Sequence, residues 1–345
     1  MLLVTNSVIS VLLVMVLVPL FIRWSVPLGL MKEHKPLPGA DHTRTVPLVG
    51  GTVIFLVWIL TFVVSDAICE AGFPFDELQA RGLLIGALVV YLMGLKDDLG
   101  ELDYKLRLVI QIAAALVLVA HGFHLDIVTI PYMGTIKVGW WGHIIVVLWV
   151  VLVTNAINLI DGLDGLAASI AAIALFFIGL LALKSNLYMS YLTISLAIIF
   201  VAYLRYAWYP AKTFLGNSGS FLMGFLLAVF SLKASVKGTT LLSLFFPLII
   251  MSVPLLDLVR LFLSRSLRGR NPFRSDGAHL HYLLLEGGFR HPEAVGLICL
   301  FSFFFASLGF LVTLIDPEAT LVIFVVILAA FLILYKTVGL LRRGQ

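Results

Sequence analysis

NAINLIDGLDGLAASIAAIALFFIGLLAL, residues 155–183, joins a polar, glycine-broken segment to an uncharged apolar run. The run is of the length that crosses a bilayer as a helix, about 20 residues. Ten more such runs are centred near residues 14, 56, 88, 113, 151, 197, 227, 251, 305 and 330. The composition agrees: 61% of the 345 residues are hydrophobic, 12% are charged, and the mean hydropathy is +1.10. A water-soluble domain cannot cover so much apolar surface. Backbone polar groups in lipid must be satisfied within the segment, so the spans are helices. The alternating pattern of a membrane barrel is absent. The expected fold is an all-α polytopic integral membrane protein of about eleven transmembrane helices. It is expected to form one membrane domain over residues 1–345, with no internal repeat and no soluble module.

The first apolar run has no basic residue before it, and Arg23 follows it, so no cleavable signal is expected. Cys69 and Cys299 lie in different settings, so neither a disulfide nor a metal role is expected of them. With eleven alternating spans, 18 of the 23 lysines and arginines fall on one face and five on the other. The basic face is therefore expected to be cytoplasmic, with the N-terminus outside and the C-terminus inside.

The polar motifs collect on that basic face. HTRTVPLVGG (42–51) enters the second span and GLKDDLG (94–100) leaves the third. NAINLIDGLDGL (155–166) joins the fifth and sixth, and FLGNSGS (214–220) opens the eighth. The long loop 265–291 is there too. Adjacent Asp97 and Asp98 point about 100° apart on a helix. They can share one site only if the helix unwinds, which Gly100 permits. Negative charge at a helix C-terminus opposes the dipole, so a cation should compensate it. Hard carboxylate oxygens suit Mg²⁺, with Mn²⁺ as a substitute.

Asn155, Asn158, Asp161 and Asp164 recur every third residue, and Gly162 and Gly165 should end the helix and put the two acids in a turn. Ionisable residues at a membrane boundary are functional candidates. Helix caps would explain one of them, not four polar groups with two glycines. Arg265, Arg268, Arg270 and Arg274 satisfy the positive-inside rule, yet guanidinium forks also suit phosphate. Asp276 is expected to cap a short helix with Leu283–Leu285 on the bilayer surface, which brings His279 and His281 near the membrane plane. Asp257 and Arg260, three apart, read as a local ion pair.

Carboxylates for a divalent cation, basic groups for phosphate and a membrane boundary suggest phosphoryl transfer between a soluble donor and a lipid acceptor. No P-loop is present. KDDLGELDYKLRLVIQ, NAINLIDGLDGLA, FLGNSGS and DGAHLHYLL, in this order, together resemble the polyprenyl-phosphate N-acetylhexosamine-1-phosphate transferase family, of glycosyltransferase 4 type. The likeness spans His42 to about Phe289 and is nearer to the undecaprenyl-phosphate GlcNAc-1-phosphate branch than to the peptidoglycan lipid I branch.

The resemblance implies a UDP-N-acetylhexosamine donor, undecaprenyl phosphate as acceptor, Mg²⁺, and release of UMP at the cytoplasmic side of the bacterial inner membrane. The product would initiate a cell-surface polysaccharide such as O-antigen or the teichoic acid linkage. It implies that Asp97 activates or orients the lipid phosphate, as base or as nucleophile. Asp98 stands near the metal and Lys105 contacts phosphate. Asn155, Asn158, Asp161 and Asp164 line the nucleoside pocket. His279 and His281, with Arg268 or Arg270, hold the diphosphate or sugar, and Arg44 lies near a basic entry motif. Membrane lipid is the setting, no nucleic acid is expected, and a homodimer is compatible.

One departure is specific: the family's Gly-Asp-x-Gly-Ser, whose Asp is a metal ligand, reads Gly216-Asn217-Ser218-Gly219-Ser220. A carboxamide brings no charge, so weaker metal binding and slow turnover are expected. The rival readings are lipid I synthesis, an intramembrane aspartyl protease, a phosphatidyl-alcohol transferase and an anionic-substrate transporter. The protease would need Gly-x-Gly-Asp in a helix, the phosphatidyl-alcohol transferase an Ala-Arg at short spacing after Asp164-Gly165, where Leu166-Ala167-Ala168 stands, and the transporter inverted repeats with charges at mid-membrane; none is visible.

Overall fold

Asp76 begins the helix that carries the paired acids. Its carboxylate accepts the amide of Gln79 at 2.8 Å, the usual way to satisfy an orphan donor at a helix start. That helix, α3 (Glu77–Leu99), follows α1 (Leu2–Trp24) and α2 (Gly50–Ile68) and precedes α4 (Tyr104–Ala120). Then come α5 (Trp141–Ile160), α6 (Leu166–Ala182), α7 (Leu187–Ala207) and α8 (Gly216–Ala234). The last are α9 (Ser252–Leu267), the short α10 (Leu280–Glu286) and α11 (His291–Ile315). The computed structural model describes residues 2–27, 29–34, 44–68, 72–130, 134–183, 185–234, 251–267, 269, 279–315 and isolated positions from 322 to 333.

Seven of the described helices are long and apolar enough to cross a membrane: α1, α2, α3, α5, α7, α8 and α11. With α4 and α6, each 17 residues, nine of the eleven expected centres fall on described helices. The run expected near 251 begins among residues outside the described ones, and the run near 330 lies largely outside them. The structure is that of a membrane protein, mostly helical. It also has two antiparallel ribbons that composition did not reveal: β1 (Met31–His34) with β2 (Arg44–Pro47), and β3 (Ile127–Ile130) with β4 (Gly134–Lys137).

α8 is the hub, lying against α2, α3, α5 and α6. Small residues make this position possible, as is usual where apolar burial cannot drive helix association. A Cβ on Gly51 would stand 2.3 Å from the Gly219 amide nitrogen. One on Gly94 would stand 2.5 Å from the Asn217 carbonyl oxygen and Ser218 Cα, and one on Gly224 would stand 2.6 Å from Thr154 Cα. Polar pairs fasten the outer helices. Asn6 donates to the Thr61 carbonyl and to Ser65 Oγ, both at 3.0 Å, and Trp149 Nε1 donates to Ser231 Oγ at 3.0 Å.

The N-termini of α2 and α8 are laced together by the strand-like link before α8. Gly50 N donates to the Phe214 carbonyl at 3.1 Å, Gly51 N to Leu215 at 2.9 Å, and Phe214 N to Pro47 at 2.9 Å. This fixes the mouth of α8 beside the end of α3. Replacing Gly94 by Ala should force α3 and α8 apart, because the obstructing atoms are backbone. The expected cost is about 1–3 kcal/mol, read as a lower melting temperature in detergent. Unchanged melting would show that the crossing is not so close.

Candidate active site

The paired acids do not share a site by unwinding. α3 stays helical through both, and Gly100 is merely extended, φ −175°. The 100° between neighbours instead sends each carboxylate to a different helix. Asp97 is buried; its Oδ1 accepts the Leu102 amide at 2.7 Å and its Oδ2 accepts Arg107 Nη1 at 3.1 Å. It thus ties the α3–α4 corner together. Asp98 faces the start of α8. Its Oδ1 accepts the Asn217 amide at 2.7 Å; its Oδ2 accepts the Ser218 amide at 2.9 Å and Ser218 Oγ at 2.7 Å. A carboxylate at a helix N-terminus satisfies orphan amides and meets the positive end of the dipole. Gly216, at φ 73°, is required here: a Cβ would stand 2.6 Å from Asp98 Oδ2.

Opposite lies the turn between α5 and α6. As the glycines suggest, α5 ends at Ile160, with Asp161 in the C-cap position and Gly165 left-handed (φ 75°) before α6. Asp161 lines a cavity of about 220 Å³ together with Asp98, Gly162, Asp164, Gly216, Asn217 and Tyr282. Asp164 is buried, and its Oδ2 accepts the Ala211 amide at 2.9 Å. Asn158 Nδ2 donates to Asn217 Oδ1 at 3.1 Å and to Ser220 Oγ at 2.8 Å, which orients the residue at the family's variant position. Asn155, one turn back, donates to Gln111 Oε1 at 2.6 Å and serves the α4–α5 contact instead.

The histidines are placed differently from expectation. α10 begins after His279, not at Asp276, and Asp257 of α9 serves its start by accepting the Leu280 amide at 3.2 Å. Leu283 and Leu284 are buried in the protein core and not laid on the bilayer, since the helix packs on α11. The expected Asp257–Arg260 pair is present at 2.8 Å, and Asp257 also holds His279 Nδ1 at 2.9 Å. His281 is 1% exposed, and among the described residues neither ring nitrogen has a hydrogen-bond partner. Its Nε2 sits where a Cβ on Gly162 would be, 2.2 Å away. Neither histidine lines the cavity; Tyr282 does.

Lys105 is exposed on the first turn of α4. Arg44 is on β2, and its side chain lies outside the described residues, as do Arg268, Arg270, Arg274 and Asp276. Sequence reasoning missed Arg107, Tyr282 and the second role of Asp257. The i,i+3 spacing of Asp257 and Arg260 marked the pair but could not name His279, 22 residues on.

Burial, and then the neighbouring His279, push the His281 imidazole down to about 3, and burial raises the Tyr282 phenol, with Asp161 adding to the shift. His281 is therefore neutral at working pH. Its folded value lies below the ordinary 6.5, so the unfolded chain binds the extra proton between these values. Stability is full above about 6.5 and falls as pH drops toward 3, on the order of 1 kcal/mol per pH unit. His281→Leu should narrow the difference in melting temperature between pH 7.5 and pH 5; an equal or wider difference would contradict the assignment.

The sequence model of glycosyl transferase family 4 matches residues 80–235. A decaprenyl-phosphate N-acetylglucosaminephosphotransferase of Mycobacterium leprae is 33% identical over 284 residues, 75% of this chain and 71% of that protein. The chain belongs to glycosyl transferase family 4. A probable undecaprenyl-phosphate N-acetylglucosaminyl 1-phosphate transferase of Bacillus subtilis is 29% identical, over 87% of this chain and 82% of its own. The undecaprenyl-phosphate alpha-N-acetylglucosaminyl 1-phosphate transferase of Escherichia coli K12 is 27% identical, over 80% and 75%. The family match takes in Asp97, Asp98, the Asp161–Gly165 turn and the mouth of α8, but ends before α10.

Proposed function

We propose that this chain transfers N-acetylhexosamine 1-phosphate, foremost GlcNAc 1-phosphate, from a UDP-sugar to undecaprenyl phosphate, with release of UMP. The reaction is placed at the cytoplasmic face of a bacterial inner membrane, where the basic residues of the loops collect, and its product starts a surface polysaccharide. The observation that carries this reading is the α8 mouth. Two backbone amides and a hydroxyl converge on Asp98 in a cavity that Asp161 also lines. The names of the relatives supply the chemistry of donor and acceptor.

The donor set suits a hard cation. Among the described residues no three His, Cys, Asp or Glu side chains gather closely enough to hold a metal by themselves; the cavity is lined by Asp98, Asp161 and Asp164, the last bonded to the Ala211 amide, and by Asn217. Mg²⁺ is commonly held by one or two carboxylates plus substrate phosphates and water, and these residues fit that pattern. Held by Asp98 and Asn217, Mg²⁺ or Mn²⁺ would supply neutralisation of the diphosphate charge.

An oxygen of the lipid phosphate, already anionic, attacks the sugar-bearing phosphorus. One P–O bond forms, the bond to the UMP oxygen breaks, and UMP takes the electron pair. No proton need be removed, so Asp97, engaged by Leu102 and Arg107, acts by holding the α3–α4 corner. Asp98 stays aligned by the α8 amides, and Asn158 keeps the Asn217 oxygen turned. Asp161 and Tyr282 border the space for the donor. A diphosphate is exchanged for a diphosphate, so the step is close to thermoneutral and reversible.

Asn217 in place of a charged ligand lowers cation affinity and slows turnover under this reading. Purified protein with undecaprenyl phosphate should release UMP from UDP-GlcNAc in preference to UDP-GalNAc and UDP-MurNAc-pentapeptide. Asn217→Asp should lower the half-saturating Mg²⁺ by about tenfold, as added ligand charge does. Release from none of the three donors would refute the transferase reading. Equal rates of the two forms at limiting Mg²⁺ would refute the role of Asn217.

A further inference from the structure

His291 opens α11, over 120 residues from the Asp161–Gly165 turn, yet it bonds to that turn. Its Nε2 accepts the backbone amide of Asp164 at 3.1 Å. An acceptor Nε2 places the proton of the neutral ring on Nδ1. The ring is 7% exposed and stacks on Tyr209, centroids 4.5 Å apart and planes 24° from parallel. Tyr209 belongs to the link between α7 and α8, and two residues on, the Ala211 amide donates to Asp164 Oδ2.

Asp164 is thus clamped twice, by its carboxylate to the link and by its amide to α11. Its neighbours are satisfied locally: Asp161 N bonds to the Asn158 carbonyl, Gly162 N to Ile160 and Leu166 N to Leu163. The amide of Asp164 instead uses a side chain from a distant helix. An unsatisfied buried donor is costly enough to decide which of several turn conformations is occupied. The same turn, Asp161 to Gly165, lines the cavity.

We infer that His291 is a positioning residue: it fixes the Asp161–Gly165 turn from behind, and so sets the wall against which the nucleotide-sugar donor lies. The donor part rests on the reaction proposed above; the clamp on the turn does not. His291 touches no reacting atom. The stacked Tyr209 holds the ring in plane, and the ring carries the acceptor. Loss of the acceptor frees the Asp164 amide and lets Asp161 drift, which weakens donor binding more than it slows the transfer.

The test compares His291→Phe, which keeps the stacked ring but has no acceptor, with His291→Gln, whose amide oxygen can accept the Asp164 amide. Hydrogen–deuterium exchange of the intact protein in detergent is followed in peptides covering residues 161–168. The same preparations are assayed for UMP release from UDP-GlcNAc. The Phe form should exchange faster in this segment, with a KM for the donor raised about tenfold, as loss of one well-formed hydrogen bond would give. Its kcat should change less than KM, and the Gln form should recover both readouts.

Wild-type exchange in the Phe form would overturn the inference, as would equal defects in the Phe and Gln forms, which would assign His291 to packing alone. If the wild type releases no UMP, the proposed reaction falls while the exchange arm still decides the clamp.

Discussion

The bonds between the Asp98 carboxylate and the first turn of α8 are the interaction on which the rest depends. α8 is almost wholly enclosed, and its N-terminus would otherwise leave amides unpaired near the apolar interior. Water is scarce there, and each unmet backbone group is costly. Asp98 meets two of those amides and one hydroxyl at 2.7–2.9 Å. It can reach them because Gly94 and Gly216 lack side chains at the crossing. The same geometry that completes a helix end leaves a carboxylate lining a cavity. Stability and chemistry are thus written into one contact.

The neighbouring acid shows how helix geometry divides labour. Asp97 and Asp98 are adjacent in sequence, yet one is bonded to the α3–α4 corner and the other to α8. Rotation of 100° per residue separates an anchoring role from a cavity-facing role without any break in the helix. At the α5–α6 turn Asp161 and Asp164 both line the cavity, and Asp164 also bonds to the Ala211 amide. Asp97, bonded to Leu102 and Arg107, fixes the end of the helix that carries Asp98.

Much of this was legible in the sequence, and for stated reasons. The helical membrane fold follows from run length and hydropathy, which are local properties. The turn at Asp161–Gly165 follows from two glycines after a helical run. The clustering of Asp98, Asp161 and Asn217 was suggested by their common membrane face. What could not be read was pairing across distance. The lacing of α2 to the link before α8, the bond from Asp257 to His279 and the bond from His291 to Asp164 join segments that have no sequence spacing in common. The carboxylate that serves the start of α10 comes from Asp257 on another helix, which no local spacing marks, while Asp276 lies outside the described residues. The burial of Leu283 and Leu284 followed from packing on α11, which an apolar triplet alone does not distinguish from contact with lipid.

In the proposed reaction, the Asp98 charge at the mouth of α8 drives transfer. Asp98→Asn keeps the size of the side chain and one acceptor oxygen but removes the charge. The direct measurement is the rate of UMP release by this form at saturating Mg²⁺, taken beside its melting temperature in detergent. The account predicts a fall of about a hundredfold or more, as for loss of a main electrostatic contact, with a melting transition still present. A folded Asp98→Asn protein that releases UMP within about threefold of the wild type, less than 1 kcal/mol in the barrier, would contradict it.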